Sequence, residues 1–542
     1  MRASGILLPV FSLPGEYGIG CFSKEAYDFI DQLHAAGQRY WQILPLGHAG
    51  GWYSPYQPLS CFAMDPAFID PDTLIEEGLI EAKDAAELKA VAVKLPSDKI
   101  DYDALLPVRM ELLRKAYFNF VNSNYSNCKS KSVNHYTNCN DRSSVDSVDR
   151  AIESFDSDSY KKFCRDNGFW LDDYAIFISL TKKYQTPDWS TWDKDLKVRS
   201  PKALNGFAKE KAEDIEFYKW LQYQLHRQWQ RIVSYAHSKG VEIIGDIPIY
   251  SAYESADCWA HPELFKLTKS LRPEAVAGCP PDGFSPTGQV WGNPLYKWTY
   301  HKKTDYRWWM DRLRQNFKLY DVIRLDHMRG FESFFSIPAH DETAENGHWM
   351  RGPRMDFFNK VKEELPDGRF IAEDLGTITA EVERLIYETG LPGMKVIQFA
   401  FDGDPNNLYL PENYDENCVV YTGTHDNDTT AGWYDSLDEE AKRGITMYIR
   451  KLSGSMSEAA FKAPLFGGKT AASALVSVAM RSRGETCIIP VQDYLLLGSQ
   501  GRINVPGTTG DNWTWRMEKG ALSESIVSYI LMLTKESGRY AE

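Results

Sequence analysis

The sequence FYKWLQYQLHRQWQRIVSYAHSKGVEIIGDIPI occupies residues 217–249 and combines a helix pattern with a strand pattern. In its first part, apolar residues recur three or four positions apart, which is the spacing of one face of an α-helix. These residues are Phe217, Leu221, Leu225, Trp229, Ile232 and Ala236. Gly240 then provides a helix stop, and residues 241–249 form an apolar run of strand length. The stretch therefore predicts a helix followed by a strand of a parallel sheet.

Seven further apolar runs alternate with helix-like stretches such as residues 23–37. They occupy residues 40–46, 62–69, 322–326, 370–373, 394–401, 419–425 and 486–491. Such alternation is typical of parallel βα units, and eight units are enough to close a barrel. An open doubly wound sheet is the alternative if one or two of the runs are not strands. We predict an α/β fold in which residues 1–542 form a single catalytic (β/α)₈ TIM barrel.

The uneven spacing of the runs predicts two large insertions between barrel strands. Residues 71–215 are mostly helical in pattern and too long for one crossover. Within them, residues 122–147 are rich in Asn, Ser and Asp, so we expect a flexible tract there. Cys128, His135 and Cys139 have the chemistry of metal ligands, but polar loops acquire such residues easily, and no metal site is expected. A second insertion is predicted at residues 250–318.

The composition argues against several classes of partner and location. Lys and Arg number 61 and Asp and Glu number 75, a formal net charge of −14, which disfavours nucleic-acid binding. We expect no membrane partner, because no apolar run is long enough to cross a bilayer and the N-terminus lacks a signal-peptide core. The nine cysteines are scattered without disulfide spacing, which favours a cytoplasmic protein. Sixteen Trp and thirty Tyr are enough for the core and for stacking on sugar rings.

Four of the predicted strands end in, or lead directly to, a carboxylate. The four residues are Asp246, Asp326, Glu373 and Asp426. For any one of them, capping of the following helix is a sufficient explanation. Four carboxylates at one rim are harder to explain in this way, because crowded like charges destabilise a fold. Since the carboxyl ends of barrel strands meet at one face, we predict that these residues form the active site.

Asp326 and Glu373 follow the fourth and fifth predicted strands, which are neighbours in a barrel. Cleavage of a glycosidic bond needs a carboxylic acid that protonates the leaving oxygen and a carboxylate that attacks or stabilises the sugar carbon. A separation of about 5 Å between the two carboxyl groups would allow attack with retention of configuration. Arg324 lies on the same side of its strand as Asp326, and we expect a bidentate contact that keeps Asp326 ionised, or else a plain structural ion pair.

Seven motifs, in this order and at these strand ends, resemble the amylomaltases of glycoside hydrolase family 77, within the α-amylase clan. They are SPYQ at 54–57, GDIP at 245–248, GCPPDGFS at 278–285, GQVWGNP at 288–294, RLDHMRG at 324–330, AEDLG at 372–376 and GTHDN at 423–427. The stretch RINVPG at 502–507 also fits the family, whereas residues 122–147 match none of its motifs. The resemblance covers nearly the whole predicted barrel.

The resemblance implies a role for each matching residue. Asp326 would be the nucleophile, Glu373 the general acid/base, and Asp426 the third carboxylate that holds sugar hydroxyls. The substrate-binding residues it implies are Tyr56, Asp246, Asp282, Phe284, Gln289, Trp291, Arg324, His327, His425, Asn504 and Pro506. The resemblance also implies that residues 278–294, within the second insertion, form an active-site loop. No cofactor is implied.

The family's activity is 4-alpha-glucanotransfer, in which a segment of an α-1,4-glucan donor passes to glucose or a maltooligosaccharide acceptor. The residues alone do not distinguish this reaction from hydrolysis by an enzyme of the same clan, because both need the same pair of carboxylates. A glucan-binding protein without catalytic activity is a third possibility, which the presence of all three carboxylates disfavours. The prediction of transfer therefore depends on the resemblance.

Overall fold

The computed structural model describes residues 2–131, 158–281, 285–376, 378–452 and 466–540. Its strands are β1 (Ala3–Leu7), β2 (Tyr40–Gln42), β3 (Glu242–Ile247), β4 (Ala275–Cys279), β5 (Gln289–Pro294), β6 (Val322–Leu325), β7 (Ser333–Pro338), β8 (His348–Arg351), β9 (Phe370–Ala372), β10 (Gly393–Val396), β11 (Cys418–Tyr421) and β12 (Thr486–Pro490). Eight of them pair in parallel and close in the order β1, β12, β11, β10, β9, β6, β3, β2. The predicted (β/α)₈ barrel is confirmed.

Seven of the eight predicted runs contain a barrel strand, and one does not. Residues 62–69 form no barrel strand: Met64 makes an isolated bridge to Gly47, and Pro66–Phe68 is a short 3-10 helix. The helix begins where the side chain of Asp65 accepts a hydrogen bond from the backbone N–H of Ala67 at 2.8 Å. Pro66 has no N–H to give to a sheet, so this apolar run ends in a turn. The prediction of a strand there is wrong.

The eighth strand of the barrel is instead β1, near the N-terminus. Its sequence, ASGIL, has only two large apolar residues, so its composition does not predict a strand. Gly5 is required at its position, because a Cβ atom there would lie 2.5 Å from the Cβ and carbonyl oxygen of Tyr40 on β2. The small residues let the first two barrel strands approach each other, and β1 then closes the barrel against β12.

Helices surround the barrel and fill the insertions. They are α1 (Lys24–Ala35), α2 (Pro71–Glu76), α3 (Ala82–Ala92), α4 (Tyr102–Lys131), α5 (Asp158–Tyr184), α6 (Lys194–Lys197), α7 (Pro201–Glu210), α8 (Ala212–Ser238), α9 (Ala256–Ala260), α10 (Trp298–Lys303), α11 (Arg307–Asn316), α12 (Met355–Glu364), α13 (Ala380–Thr389), α14 (Thr430–Ser436), α15 (Glu439–Leu452), α16 (Gly468–Arg481), α17 (Val491–Tyr494) and α18 (Glu524–Glu536). The helix predicted from the opening stretch is α8, whose buried face includes Leu221, Leu225 and Trp229. Among the described helices, none combines the length and the apolar composition that crossing a membrane requires.

The helices α2 to α7 lie between β2 and β3, in the region of the first predicted insertion. Of the tract at 122–147, the first ten residues belong to the end of α4, and residues 132–147 lie outside the described residues. His135 and Cys139 are therefore not described, and neither is the side chain of Cys128. The flexible tract and the exact bounds of the insertion remain predictions.

A second, antiparallel sheet has the strand order β5, β4, β7, β8. β4 and β5 belong to residues 250–318, and β7 and β8 follow barrel strand β6. The register pairs Gly278 on β4 with Val290 on β5 and with Phe335 on β7. Because β4 and β5 flank most of the predicted active-site loop, this sheet fixes the two ends of that loop next to the carboxyl ends of the barrel strands.

Candidate active site

Three of the predicted carboxylates lie at the carboxyl ends of neighbouring strands β3, β6 and β9. Asp246 is the next-to-last residue of β3, Asp326 directly follows β6, and Glu373 directly follows β9. Leu325 pairs with Ala372, and the backbone N–H of Glu373 donates to the carbonyl oxygen of Leu325 at 3.1 Å. Asp326 and Glu373 thus occupy equivalent positions on strands about 4.8 Å apart.

Arg324 connects two of these carboxylates through one nitrogen atom. Its Nη1 donates to Asp246 Oδ2 at 2.6 Å and to Asp326 Oδ1 at 3.0 Å. The guanidinium group is buried, and so is Asp246. The predicted bidentate contact with Asp326 is therefore wrong, because Arg324 divides its hydrogen bonds between two strands. The contact still places a positive charge beside Asp326, which is 24% exposed.

Tyr56 completes the buried side of this group. Its hydroxyl donates to Asp246 Oδ2 at 2.6 Å, so that one oxygen of Asp246 receives two hydrogen bonds. The other oxygen, Oδ1, is buried and has no hydrogen-bond partner within the described part of the chain. An unpaired buried carboxylate oxygen costs free energy, and a sugar hydroxyl could satisfy it.

Glu373 is held by two backbone N–H groups. His327 N donates to Oε2 at 2.6 Å, and Leu375 N donates to Oε1 at 2.9 Å. Burial raises the pKa of Glu373, while Arg324 and these two hydrogen bonds act against the increase. Burial also raises the pKa of Asp326, with Arg324 again acting in the opposite direction. The two carboxyl groups are close enough to influence each other's titration.

His327 has a left-handed backbone conformation, with φ of 49°. This conformation is uncommon for a residue other than glycine, and it directs the histidine N–H at Glu373. Burial lowers the pKa of His327 to about 3, so the ring is neutral at ordinary pH. Its Nε2 is buried without a hydrogen-bond partner in the described residues, and the edge-to-face ring contact with Trp291 measures 4.9 Å between centroids.

The predicted loop at 278–294 is described at both ends but not in its middle. Asp282 and Phe284 lie outside the described residues, so their predicted roles stay predictions. Gln289 and Trp291 lie on β5, where Trp291 Nε1 donates to Gln289 Oε1 at 3.0 Å. Trp291 thus contacts both His327 and Gln289, and the substrate-binding roles of Gln289 and Trp291 remain predictions.

The side-chain amides of Gln57 and Asn293, for which no role is predicted, connect the predicted loop at 278–294 to the segment that follows β2. Gln57 Nε2 donates to Asn293 Oδ1 at 2.8 Å and to the carbonyl oxygen of Trp291 at 3.1 Å. Asn293 Nδ2 donates back to Gln57 Oε1 at 3.2 Å. Both residues belong to motifs that the sequence analysis quoted, but they are 236 positions apart, and only the fold shows that they meet.

Asp426 lies in the loop that follows β11 and has a separate set of contacts. Asn504 Nδ2 donates to Asp426 Oδ1 at 2.6 Å, and His425 Nε2 lies 3.3 Å from Asp426 Oδ2. Arg502, which the sequence analysis did not single out, donates from Nη2 to the carbonyl oxygen of Asp426 at 2.9 Å. The Asp426 side chain is nearly half exposed, so it remains accessible to a ligand. Pro506 is exposed in the same late loop.

Tyr56 and His425 connect the two groups of contacts. Their rings stack with 5.1 Å between centroids and an interplanar angle of 14°. Trp513, another residue without a predicted role, packs against both rings at 5.6 and 6.0 Å. Burial lowers the pKa of His425, which keeps this stacked ring neutral.

Comparison with known proteins agrees with this geometry. A family model described as 4-alpha-glucanotransferase, glycoside hydrolase family 77, matches residues 8–523. The chain is 41% identical over 531 residues to the 4-alpha-glucanotransferase of Clostridium butyricum, covering 98% of this chain and 99% of that protein. It is 38% identical to the 4-alpha-glucanotransferase of Streptococcus pneumoniae strain TIGR4, covering 98% of this chain and 96% of that protein.

A solved structure agrees over the full length. The amylomaltase from Streptococcus agalactiae, determined in complex with acarbose, superposes with a TM-score of 0.87 and 35% identity, covering 100% of both chains. The carboxylates, the barrel that carries them and these similarities lead to one conclusion. The chain is a member of glycoside hydrolase family 77, the 4-alpha-glucanotransferases.

Proposed function

We propose that this enzyme transfers a segment of an α-1,4-glucan to the 4-hydroxyl of glucose or of another glucan, with retention of configuration. The observation that carries the proposal is the pairing of Asp326 and Glu373 at equivalent positions on adjacent strands. Two carboxyl groups about 5 Å apart are the arrangement of retaining enzymes, whereas inverting enzymes hold them about 6.5–9.5 Å apart. Adjacent barrel strands suit the shorter separation.

In the first step, Asp326 attacks the anomeric carbon while Glu373 gives its proton to the glycosidic oxygen. The bond from the anomeric carbon to that oxygen breaks, and the reducing-end fragment leaves with a free 4-hydroxyl. A β-linked glucosyl ester on Asp326 remains. In the second step, ionised Glu373 takes the proton from the acceptor's 4-hydroxyl, whose oxygen attacks the same carbon. The ester bond breaks, and Asp326 is again a carboxylate.

We propose that the negative charge of the resting pair lies on Asp326. Arg324 donates directly to Asp326, and charge-assisted hydrogen bonds of this kind favour the ionised form. Burial favours the neutral form of both carboxyl groups, and Glu373, which has no ion-pair partner among the described residues, is the one proposed to keep the proton and act as the general acid. Esterification of Asp326 then removes a neighbouring negative charge, which makes Glu373 a better-ionised base for the second step.

Several side chains around the pair have unused hydrogen-bonding capacity or exposed faces. We propose that Asp246 Oδ1 and His327 Nε2, both buried without partners in the described residues, bind sugar hydroxyls. Asp426, positioned by Asn504, binds hydroxyls of the sugar ring at the cleavage point. Trp291 provides a stacking face on the loop side of the cleft, and Tyr56 an aromatic surface on the acceptor side. Asp282, Phe284 and Pro506 are proposed from the family resemblance alone.

Two observations favour transfer over hydrolysis. The relatives are 4-alpha-glucanotransferases, and aromatic side chains line the cleft. A sugar held on aromatic faces is oriented for attack, and a closed loop excludes competing water. Incubation with maltotriose tests the proposal. Shorter and longer maltooligosaccharides at a constant number of reducing ends support transfer, whereas a rising number of reducing ends supports hydrolysis. Binding of maltotriose without any product would indicate a protein that only binds glucans.

A cytoplasmic location is also proposed, on the basis of the cysteines. Seven cysteines have described side chains, and none of these forms a disulfide bond with another. Buried free thiols are usual in proteins of reducing compartments.

Replacement of Trp291 by alanine is expected to weaken substrate use moderately. Loss of one stacking face should lower kcat/KM for maltotriose about fivefold, since such contacts contribute on the order of 1 kcal/mol. The measurement is the initial rate of glucose release at low maltotriose concentration. Val290→Ala, a change at the neighbouring exposed position of β5, is the control and should leave the rate unchanged. An unchanged rate in Trp291→Ala would remove this residue from the binding site.

The dependence of kcat/KM on pH is expected to be bell-shaped. Activity falls at low pH when Asp326 takes up a proton, at a pH above the ordinary Asp pKa of 3.8 because burial raises this pKa. It falls at high pH when Glu373 loses its proton, above the ordinary Glu pKa of 4.5 for the same reason. With an α-glucosyl fluoride donor, the leaving group needs no proton. The rate of the first step should then no longer fall at high pH. A profile that is flat from acid to neutral pH would contradict both assignments.

A further inference from the structure

A cavity of about 270 Å³ lies outside the cleft, among helices α5, α9, α10 and α11. Its walls include the rings of Phe62, Phe169, Trp170 and Trp308. Ligand pockets generally measure about 300–1,000 Å³, so this cavity lies just below that range and suits a small ligand. Phe62 in the cavity wall is six residues from Tyr56 of the cleft.

Three of the rings pack around the fourth, that of Phe62. Trp170 lies nearly parallel to Phe62, with an interplanar angle of 13° and 6.2 Å between centroids. Trp308 and Phe169 stand almost perpendicular to Phe62, at 85° and 89°. Phe169 is 48% exposed, whereas the other three rings are buried. Phe169 therefore lies at the mouth of the cavity and the other rings form its interior.

The polar groups of the cavity favour a neutral ligand. Four carboxylates line the cavity, and three of them have basic partners: Asp173 with Arg199 at 2.6 Å, Glu263 with His261 at 3.5 Å, and Asp311 with Arg314 at 3.0 Å. The fourth, Asp257, is buried and accepts a hydrogen bond from the backbone N–H of Cys61 at 2.8 Å, and burial raises its pKa, which favours its neutral form. An organic cation would need unpaired negative charge in addition to the aromatic faces. Paired carboxylates still have free lone pairs, which can accept hydrogen bonds from hydroxyl groups. Tyr300 and Thr304 add hydroxyl groups to the lining.

We infer that this cavity binds one or two glucose units of a glucan chain, as a site separate from the catalytic cleft. Flat apolar faces combined with paired carboxylates and hydroxyls match a pyranose ring, which has apolar C–H faces and a rim of hydroxyls. The inference rests on the proposed function, because it takes the ligand to be the same class of glucan that the cleft binds. A chain held here would raise the local concentration of glucan around the enzyme.

The test uses maltotriose and fluorine NMR. The protein carries Asp326→Ala, so that the sugar is not consumed, and fluorinated tryptophan in place of tryptophan. The lines of Trp170, Trp308 and Trp291 are assigned by single Trp→Phe changes. We expect maltotriose to shift the lines of Trp170 and Trp308 as well as that of Trp291. Phe169→Ala should raise the half-saturation concentration at Trp170 and Trp308 about fivefold, without changing that at Trp291. Phe118→Ala, at a ring 45% exposed on α4, is the matched control and should change neither.

The possible results distinguish the inference from the proposed function. A shift at Trp291 alone, or shifts at Trp170 and Trp308 that Phe169→Ala leaves unchanged, would overturn the cavity as a glucan site and leave the proposed function standing. No shift at any of the three lines, together with no transfer by the wild-type enzyme, would overturn the proposed function. Shifts of the Trp170 and Trp308 lines by tetramethylammonium and not by maltotriose would assign the cavity to an organic cation instead.

Discussion

Replacement of Asp326 by alanine is expected to abolish glucan transfer and to leave the protein folded. Without the nucleophile no glucosyl ester forms, and the rate should fall at least about 10⁴-fold. The fold should survive because Arg324 keeps its hydrogen bond to Asp246, so no buried positive charge is left without a partner. The measurements are the rate of maltotriose disproportionation and the midpoint of thermal unfolding.

Azide provides the control for this variant. In Asp326→Ala, azide can enter the space of the lost carboxylate and attack an α-glucosyl fluoride from the β face, which gives a β-glucosyl azide. Formation of that product shows that the rest of the site is intact and that the missing group was the nucleophile. Retention of most activity by Asp326→Ala, or an α-glucosyl azide as the product, would assign the nucleophile elsewhere.

The positions of the carboxylates were accessible from sequence for a physical reason. In a parallel barrel, every strand directs its carboxyl end to the same face, so a polar residue after a buried run is placed without knowledge of the loops. Asp246, Asp326 and Glu373 follow this rule directly. Asp426 follows it less directly, since it lies five residues after β11 and depends on Asn504 for its position.

The errors in the fold come from the weak signal of short barrel strands. The sequence of β1 does not predict a strand because Ser4 and Gly5 reduce its apolar character, although Gly5 is what allows close approach to β2. The apolar composition of residues 62–69 predicts a strand, but Pro66 and the capping side chain of Asp65 turn the backbone. In both cases tertiary packing or turn chemistry outweighed the composition of the segment.

The contacts that hold the site in place could not be predicted, because they join residues far apart in the chain. Gln57 and Asn293 fasten the loop, Arg502 fixes the backbone of Asp426, and Trp513 packs on Tyr56 and His425. A sequence pattern indicates the face on which a side chain lies, but not which distant side chain it meets there. These residues became identifiable only once the barrel had closed.

Replacement of Glu373 by alanine is expected to slow transfer from maltotriose about 10²–10⁴-fold, which is the usual contribution of a general acid. The loss should be much smaller with an α-glucosyl fluoride donor, because fluoride leaves without protonation, so that the glucosyl ester on Asp326 still forms. Azide should then release this ester as an α-glucosyl azide, the anomer opposite to that from Asp326→Ala. The measurements are the two rates and the anomeric configuration of the azide product by NMR.

Glu373→Gln serves as the matched control, since it retains an oxygen that can accept a backbone hydrogen bond from His327 or Leu375 but lacks the acidic proton. If Glu373→Ala used maltotriose and the fluoride with equal losses, Glu373 would be a structural residue and the acid would have to be sought among the other carboxylates of the rim.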